Sequence, residues 1–334
     1  MSHHSALWFW AEHAARGRRP PSRCTRGLGD ARAGSATLES LRNLGILRRG
    51  RPVDLLVASQ GQRRNGSGVR CHCLSGELPR RSFSELAPNV YVCVPELCFL
   101  QLAGSHSPVD LLRLGMELCG HYSLAEGRRG FLDRPPLCSR AGLLAYLDAV
   151  HATRGVAKAR RAAGLVIDGS ASPMESSLAL LLCLPTRWGG YGLPRPILNG
   201  QLTLSPGAAR IVGQRRCSPD LSWPQRRVAV EYLGREYHRE FGHDLSRVLG
   251  LRRDGWRVEL VGIGQLRNQA AATELARRLS RHLCGRDLVL PPSKEGKRTL
   301  LRESLLPFGH GWDDEGNAMP SLRPSWVLPA SGSL

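Results

Sequence analysis

The stretch Cys217–His238, CSPDLSWPQRRVAVEYLGREYH, constrains this chain more than any other. Two runs of strand-forming residues flank a proline-led corner. Pro219-Asp220-Leu221-Ser222-Trp223 leads in, Pro224-Gln225-Arg226-Arg227 turns, and Val228-Ala229-Val230-Glu231-Tyr232-Leu233 leads out. The second run is β-branched and apolar, which predicts a buried strand bounded by turn residues. Side chains alternate across a strand, so Val228 and Val230 face one way while Glu231 and Leu233 face the other. A carboxylate in such a run needs a partner, because burying an unpaired charge is costly. Asp220, on the neighbouring strand, is placed to sit beside it. Two adjacent carboxylates repel unless a cation lies between them, so the pair points to a divalent metal site.

The 334 residues leave room for two domains, each able to bury its own core. Hydrophobic content of 42% and charged content of 22% are ordinary for a soluble protein. The net charge of +19 is not, and it points to a phosphate-bearing partner. Only Lys158, Lys294 and Lys297 are lysines, so the positive charge is arginine spread along the chain, a usage that a GC-rich genome also produces. The ten cysteines contain no C-x-x-C pair. Cys98 in ELCFLQLA and Cys183 in LALLLCL read as small buried hydrophobes of a reducing compartment. Cys71-His72-Cys73 has the residue types of a zinc site, but strand alternation puts His72 opposite both cysteines, so it reads as an ordinary strand. No apolar run approaches the ~18 residues of a membrane span, and the N-terminal arginines are not followed by an apolar core. The expectation is a cytoplasmic protein without membrane contact.

Four segments follow from the pattern along the chain. Residues 1–36 read as a partly flexible N-terminal segment: a short helix within MSHHSALWFWAEHAARG, then an Arg/Gly/Pro/Ser loop. Residues 37–163 read as a separate α+β domain. It has a helix at Thr37–Ile46, strands at Pro52–Val57 and Val69–Leu74 around the polar turn Gly61–Gly68, and a strand at Val90–Val94. Helices then follow at Glu96–Ala103, Pro108–Cys119 and Leu143–Ala159. Residues 164–290 form the second domain. Ser172 and Glu175 make a capping box with Pro173 at the first helical position, opening the apolar helix Ser176–Leu184. A Gly/Pro loop, a brief strand at Gln201–Leu204, the Cys217–His238 pair, a helix at Phe241–Arg253, a strand at Trp256–Val261 and a helix at Gln265–Leu283 complete it. Residues 291–334 read as a Pro/Gly-rich, disordered tail.

The order helix, brief strand, strand, strand, helix, strand, helix, with Pro219-Asp220 on one strand and Val230-Glu231 on the next, resembles the PD-(D/E)-x-K restriction-endonuclease-like superfamily. The likeness is closer to the very-short-patch-repair type of endonuclease domain. Val230-Glu231-Tyr232-Leu233-Gly234-Arg235-Glu236-Tyr237-His238, Asp244-Leu245-Ser246-Arg247 and Gly255-Trp256-Arg257-Val258 carry it, over residues 170–283. The resemblance implies an α/β fold with a restriction-endonuclease-like core, a mixed central sheet flanked by helices. It also implies Mg²⁺ (or Mn²⁺) held by Asp220 and Glu231, and hydrolysis of DNA phosphodiester bonds in defence or repair. His238 stands where the family places a histidine acting on the attacking water or leaving group, though a histidine after a glycine turn is also an ordinary loop residue. Glu175 stands where related domains carry an extra acid near the metal, and it is equally a capping residue. Arg247 is expected to pair with a carboxylate or hold its helix, and Trp256 to be core. In the first domain, Val92–Ala103 (VCVPELCFLQLA) resembles the middle of abortive-infection antitoxin-type regulators, although a buried helix with proline in its first turn would read the same.

Leu233 departs from the pattern. Two residues after Glu231 the superfamily has lysine, and this subgroup usually aspartate or histidine. Leucine can neither polarise water nor bind a metal, so either His238 and a water-held metal suffice or the site has decayed and the fold only binds. Arg235, just beyond the glycine, could swing in, though nothing in the sequence demands it. Three readings therefore stand: a metal-dependent endonuclease, a catalytically silent DNA-binding or antitoxin-type regulator, and a domain whose Asp220 and Glu231 are simply paired with arginines such as Arg226 or Arg227. DNA is the expected partner, with a toxin or other defence protein admitted by the resemblance and a homodimer left open.

Overall fold

A computed structural model gives the fold of residues 1–306, except positions 26, 30, 47–51, 65, 67, 75, 126–129, 235 and 236, and without the side chains of 237–244. The chain divides into two compact units, Met1–Val166 and Ile167–Asp314. Both mix helices with small sheets, none closed into a barrel. No helix among the described residues is long and apolar enough to cross a membrane.

The first unit contains α1 (His3–Ala15), β1 (Arg23–Cys24), α2 (Ser35–Asn43), β2 (Val53–Val57), β3 (Val69–Cys73), β4 (Phe83–Ala87), β5 (Val90–Cys93), α3 (Pro95–Ala103), α4 (Pro108–Leu118), β6 (Tyr122–Leu124), β7 (Phe131–Asp133), α5 (Arg140–Asp148) and α6 (Val156–Ala163). Its centre is α3, whose residues are buried along the whole helix. A helix apolar on every side must be enclosed on every side. Even its one charged residue is answered: Glu96 takes two bonds from Arg23, at 2.7 and 3.0 Å. The opening segment is more firmly built in than its composition suggests. Helix α1 packs on α3, and Trp10 Nε1 donates to the Cys93 carbonyl at 2.8 Å.

Two expectations for this unit are corrected. β2 and β3 pair in parallel, Val53 opposite Val69, so the polar turn expected between them does not close a hairpin. The single helix expected over Leu143–Ala159 is two, α5 and α6. Gly155 breaks it at φ +88°, where a Cβ would stand 3.1 Å from the backbone of Ala103 and Gly104. Only glycine accepts both that conformation and that approach.

The second unit contains α7 (Pro173–Cys183), β8 (Ile197–Leu198), β9 (Leu202–Thr203), α8 (Pro206–Val212), β10 (Arg216–Cys217), β11 (Leu221–Trp223), β12 (Val228–Leu233), α9 (Tyr237–Arg253), β13 (Arg257–Gly262), α10 (Ile263–Arg267), α11 (Gln269–Cys284) and α12 (Glu295–Leu305). Its main sheet has the order β13-β12-β11-β8. β8, β11 and β12 are antiparallel neighbours, and β13 lies parallel to β12, returned by α9. Ala229 on one face of β12 joins Ala208 and Val212 of α8, Val248 and Leu251 of α9, and Val258 of β13 in one apolar cluster. Trp256 is partly buried against its edge. Val228 and Val230, on the other face, are completely buried. β9 pairs with β10 apart from this sheet, and the last long helix is broken at Asn268, which caps α11 through Ala271 N at 3.0 Å.

The loose tail expected from residue 291 is corrected for 292–305. A short turn at Pro292–Lys294 leads into α12, which buries Leu301 and Leu305. The Ser177 hydroxyl of α7 donates to the Leu305 carbonyl at 2.9 Å. Proline and charge predominate in composition, but leucines at positions 301 and 305 put an apolar stripe on one helix face. Residues 307–334 lie outside the described chain.

Candidate acidic site

Ser172 begins the site. Its hydroxyl accepts the Glu175 N–H at 3.2 Å and starts α7. The Glu175 side chain does more than cap. Its Oε2 accepts from Ala171 N at 2.8 Å and from Asn199 Nδ2 at 2.6 Å. Asn199, just after β8, has φ +50°, a backbone conformation asparagine tolerates better than most residues. Its own N–H donates to the Asp220 carbonyl at 3.1 Å, so one residue joins the start of α7 to the strand that carries Asp220.

Asp220 stands immediately before β11 and Glu231 lies within the adjacent β12. The register sets Leu221 opposite Val230, which places Asp220 next to the Glu231–Tyr232 peptide. Asp220 Oδ2 accepts the Tyr232 N–H at 2.7 Å. Burial first, and then the charges of Glu175 and Glu231, push the Asp220 carboxyl well above the usual carboxylate range. The Tyr232 N–H and Arg247 act in the opposite sense without overcoming them. The three acids expected at the site, Glu175, Asp220 and Glu231, thus act on one another.

Glu231 meets a cation from α9. Arg247 Nη2 lies 2.8 Å from Glu231 Oε2, the carboxylate side chain being 6% exposed and the guanidinium 26%. This is the carboxylate pairing expected of Arg247. Arg227, one of the alternatives, donates to the Asp254 carbonyl, at 3.4 Å. Glu231, Leu233, Arg247 and Leu260 are among the residues lining a cavity of about 20 Å³, room for about one water molecule. Leu233 therefore lies inside the site, as strand alternation requires.

His238 falls in the first turn of α9, and its side chain, like all of Arg235, is outside the described residues. Among the described residues no group of three or more His, Cys, Asp or Glu side chains is placed to hold a metal ion, and this includes Cys71-His72-Cys73. Asn199 is the residue that sequence reasoning passed over. The Asn199-Gly200 dipeptide is a turn signal that could have marked it.

Comparison of the chain with protein-family models, curated proteins and solved structures finds no match.

Proposed function

We propose that residues 167–306 form a restriction-endonuclease-like domain that hydrolyses DNA phosphodiester bonds with Mg²⁺ or Mn²⁺ held by Asp220 and Glu231. The element order α7, β8, β11, β12, α9, β13 supports this reading, with three antiparallel strands followed by a parallel fourth. One observation carries it: the Asp220 carboxyl is forced upward by burial and by two further carboxylates, with Arg247 the guanidinium that acts against them among the described residues. That surplus of negative charge suits a divalent cation. The donors are hard oxygens, and Mg²⁺ commonly takes one or two carboxylates and keeps water in its remaining positions.

A bound cation would polarise the phosphoryl oxygen and lower the pKa of a coordinated water. The chain's own residues do the positioning. Tyr232 N–H fixes one oxygen of Asp220, Asn199 fixes Glu175, and Arg247 balances Glu231. His238 is assigned the water or leaving group on resemblance. The net charge of +19 suits DNA as the partner, and a cytoplasmic location goes with that substrate. The test is incubation of supercoiled plasmid with the protein and Mg²⁺ or Mn²⁺, beside chelator controls. Cleavage lost in Asp220→Ala and Glu231→Ala is expected; no cleavage by the parent overturns the reading.

The Arg247–Glu231 ion pair and Leu233 favour a second reading, a catalytically silent nuclease fold that binds DNA as an antitoxin-type regulator, alone or with a toxin partner. The β4–β5 hairpin followed by the Pro95 helix is the part of the first unit that fits such a regulator. Salt-dependent binding of DNA in chelator, without cleavage when Mn²⁺ is added, would establish it.

A further inference from the structure

In the first unit, two cysteine side chains face each other at the base of the β6–β7 hairpin. Cys119 caps the C-terminus of α4, and Cys138 precedes Ser139, whose hydroxyl caps α5 through Gly142 N. Their sulfurs lie 3.8 Å apart. The approach is fixed by main chain: Leu137 N and Cys138 N both donate to the Leu118 carbonyl, at 2.9 and 3.2 Å. Arg134 tightens the same base. Its guanidinium is buried and donates to the carbonyls of Glu117, Gly120 and Pro135 and to the Ser123 hydroxyl. It also interacts electrostatically with both sulfurs.

We propose that Cys119 and Cys138 are a redox-sensitive pair, which a small-molecule disulfide converts to an intramolecular disulfide pinning the end of α4 to the start of α5. Cys138 is half-buried and Cys119 almost wholly enclosed. The Cys138 thiolate attacks one sulfur of the small disulfide, breaking its S–S bond and releasing one small thiol. Cys119, losing its proton, attacks the Cys138 sulfur and expels the second. The protein gives up two hydrogens and the small disulfide is reduced to two thiols. A side-chain rotation that shortens the gap by about 1.8 Å completes the bond. Burial pushes the Cys93 thiol up to about 11 and Cys183 up to about 12, and Cys284 is exposed.

The experiment equilibrates the full chain in mixtures of oxidised and reduced glutathione, blocks free thiols by alkylation, and maps tryptic peptides. Leu114–Arg128 and Gly130–Arg140 carry one of the two cysteines each. The expected result is these two peptides cross-linked before any other pair, with the mass loss of two hydrogens and full reversal by excess thiol. Two of the ten free thiols disappear from titration. Cys119→Ser then leaves Cys138 as a glutathione mixed disulfide. The inference is overturned if, in the parent, Cys138 stops at the mixed disulfide, or if both thiols are alkylated at a poise where Cys284 is already capped. Mapping the parent decides the matter even if a variant fails to fold.

Discussion

Arg247 of α9 and Glu231 of β12 form the one ion pair inside the acidic site among the described residues, at 2.8 Å. The guanidinium supplies the positive charge that the proposed metal ion would otherwise bring to Glu231. Removing one member of a mostly buried pair leaves the other charge uncompensated, at a cost of about 3 kcal/mol. Arg247→Met is therefore expected to lower stability to urea by that order in chelator. If Glu231 belongs to a metal site, Mn²⁺ restores part of the loss and stabilises the variant more than the parent. A variant as stable as the parent in chelator would show that the pair contributes nothing.

Asp220 gives a prediction of opposite sign. Its carboxyl titrates above its ordinary value of 3.8 in the folded protein, chiefly through burial. The folded state then holds a proton that the unfolded chain has released, so stability falls as pH rises from that ordinary value through the folded one. Asp220→Asn removes the penalty. Without metal, its melting temperature should exceed the parent's at pH 8, with the difference disappearing below pH ~3.5. Any metal-dependent stabilisation should be lost in the same variant. Equal melting curves at pH 8 would show that the carboxyl carries no strain.

Leu233 can be tested by replacing it with the residue the resemblance leads one to expect. Leu233→Asp adds a further carboxylate beside the cavity that Glu231 and Arg247 line. In chelator it should destabilise, since like charges and burial both oppose ionisation. In Mn²⁺ it should recover and bind the ion more tightly, read as a larger metal-induced shift in melting temperature. A variant indifferent to metal would exclude this position from any cation site.

Part of this architecture is legible in the chain and part is not, for physical reasons. Val228–Leu233 could be read because β-branched residues bounded by Pro224 and Gly234 have few alternatives. Ser172 could be read because a cap is a local interaction. The gap between α5 and α6 could not: alanines and arginines on both sides favour helix, and Gly155 bends away to fit against Ala103, a contact distant in sequence. The partner of Glu231 was half legible. Arg247 could be expected to pair with a carboxylate, but Arg226 and Arg227 are nearer in sequence, and only the parallel return of the chain through α9 selects Arg247 for Glu231. Even α8, signalled by Ser205-Pro206, is too short for its periodicity to announce it.

A histidine cluster in the first unit makes that unit sensitive to acid. Burial drives His3 down to about 3 and His4 down to about 4, from an ordinary 6.5. His72, stacked on His3 with ring centres 3.7 Å apart, and Arg70 lower His3 further, whereas Asp54 opposes. Around His4, His106, Arg70 and His72 act downward and Asp54 upward. Both rings are neutral when folded and take up protons on unfolding below pH 6.5. Stability is thus full above that pH and is lost as pH falls toward 4 and then 3, by at most about 1.4 kcal/mol per pH unit for each ring. Asp54 adds to this. Burial raises its carboxyl, but the His72 bond at 2.7 Å and the charges of His72, His3 and His4 together outweigh it, and the net lowering is lost as pH falls through the folded value. Calorimetry from pH 7 to pH 4 should show the fall, flattened in His3→Gln and His4→Gln. A flat parent profile would remove the cluster as its cause.

Helix α12 decides whether the residues after 291 belong to the fold. Leu301 is 2% exposed and Leu300, beside it in sequence, 65%. Truncating a leucine in an enclosed site costs about 2–5 kcal/mol, whereas an exposed one falls within about 0.5 kcal/mol of neutral. Leu301→Ala should therefore lower urea stability by an amount in the first range while Leu300→Ala leaves it unchanged. The surroundings of Leu301 support the upper half of that range, because they cannot readily collapse. A Cβ on Gly189 would already clash with the Lys297 carbonyl and lie 3.1 Å from the Leu301 Cβ, so the 188–190 turn is pressed against the helix. The Ser177–Leu305 hydrogen bond holds the far end. If the two leucine variants are equally stable, α12 is not docked, and the segment behaves as the loose tail its composition suggests.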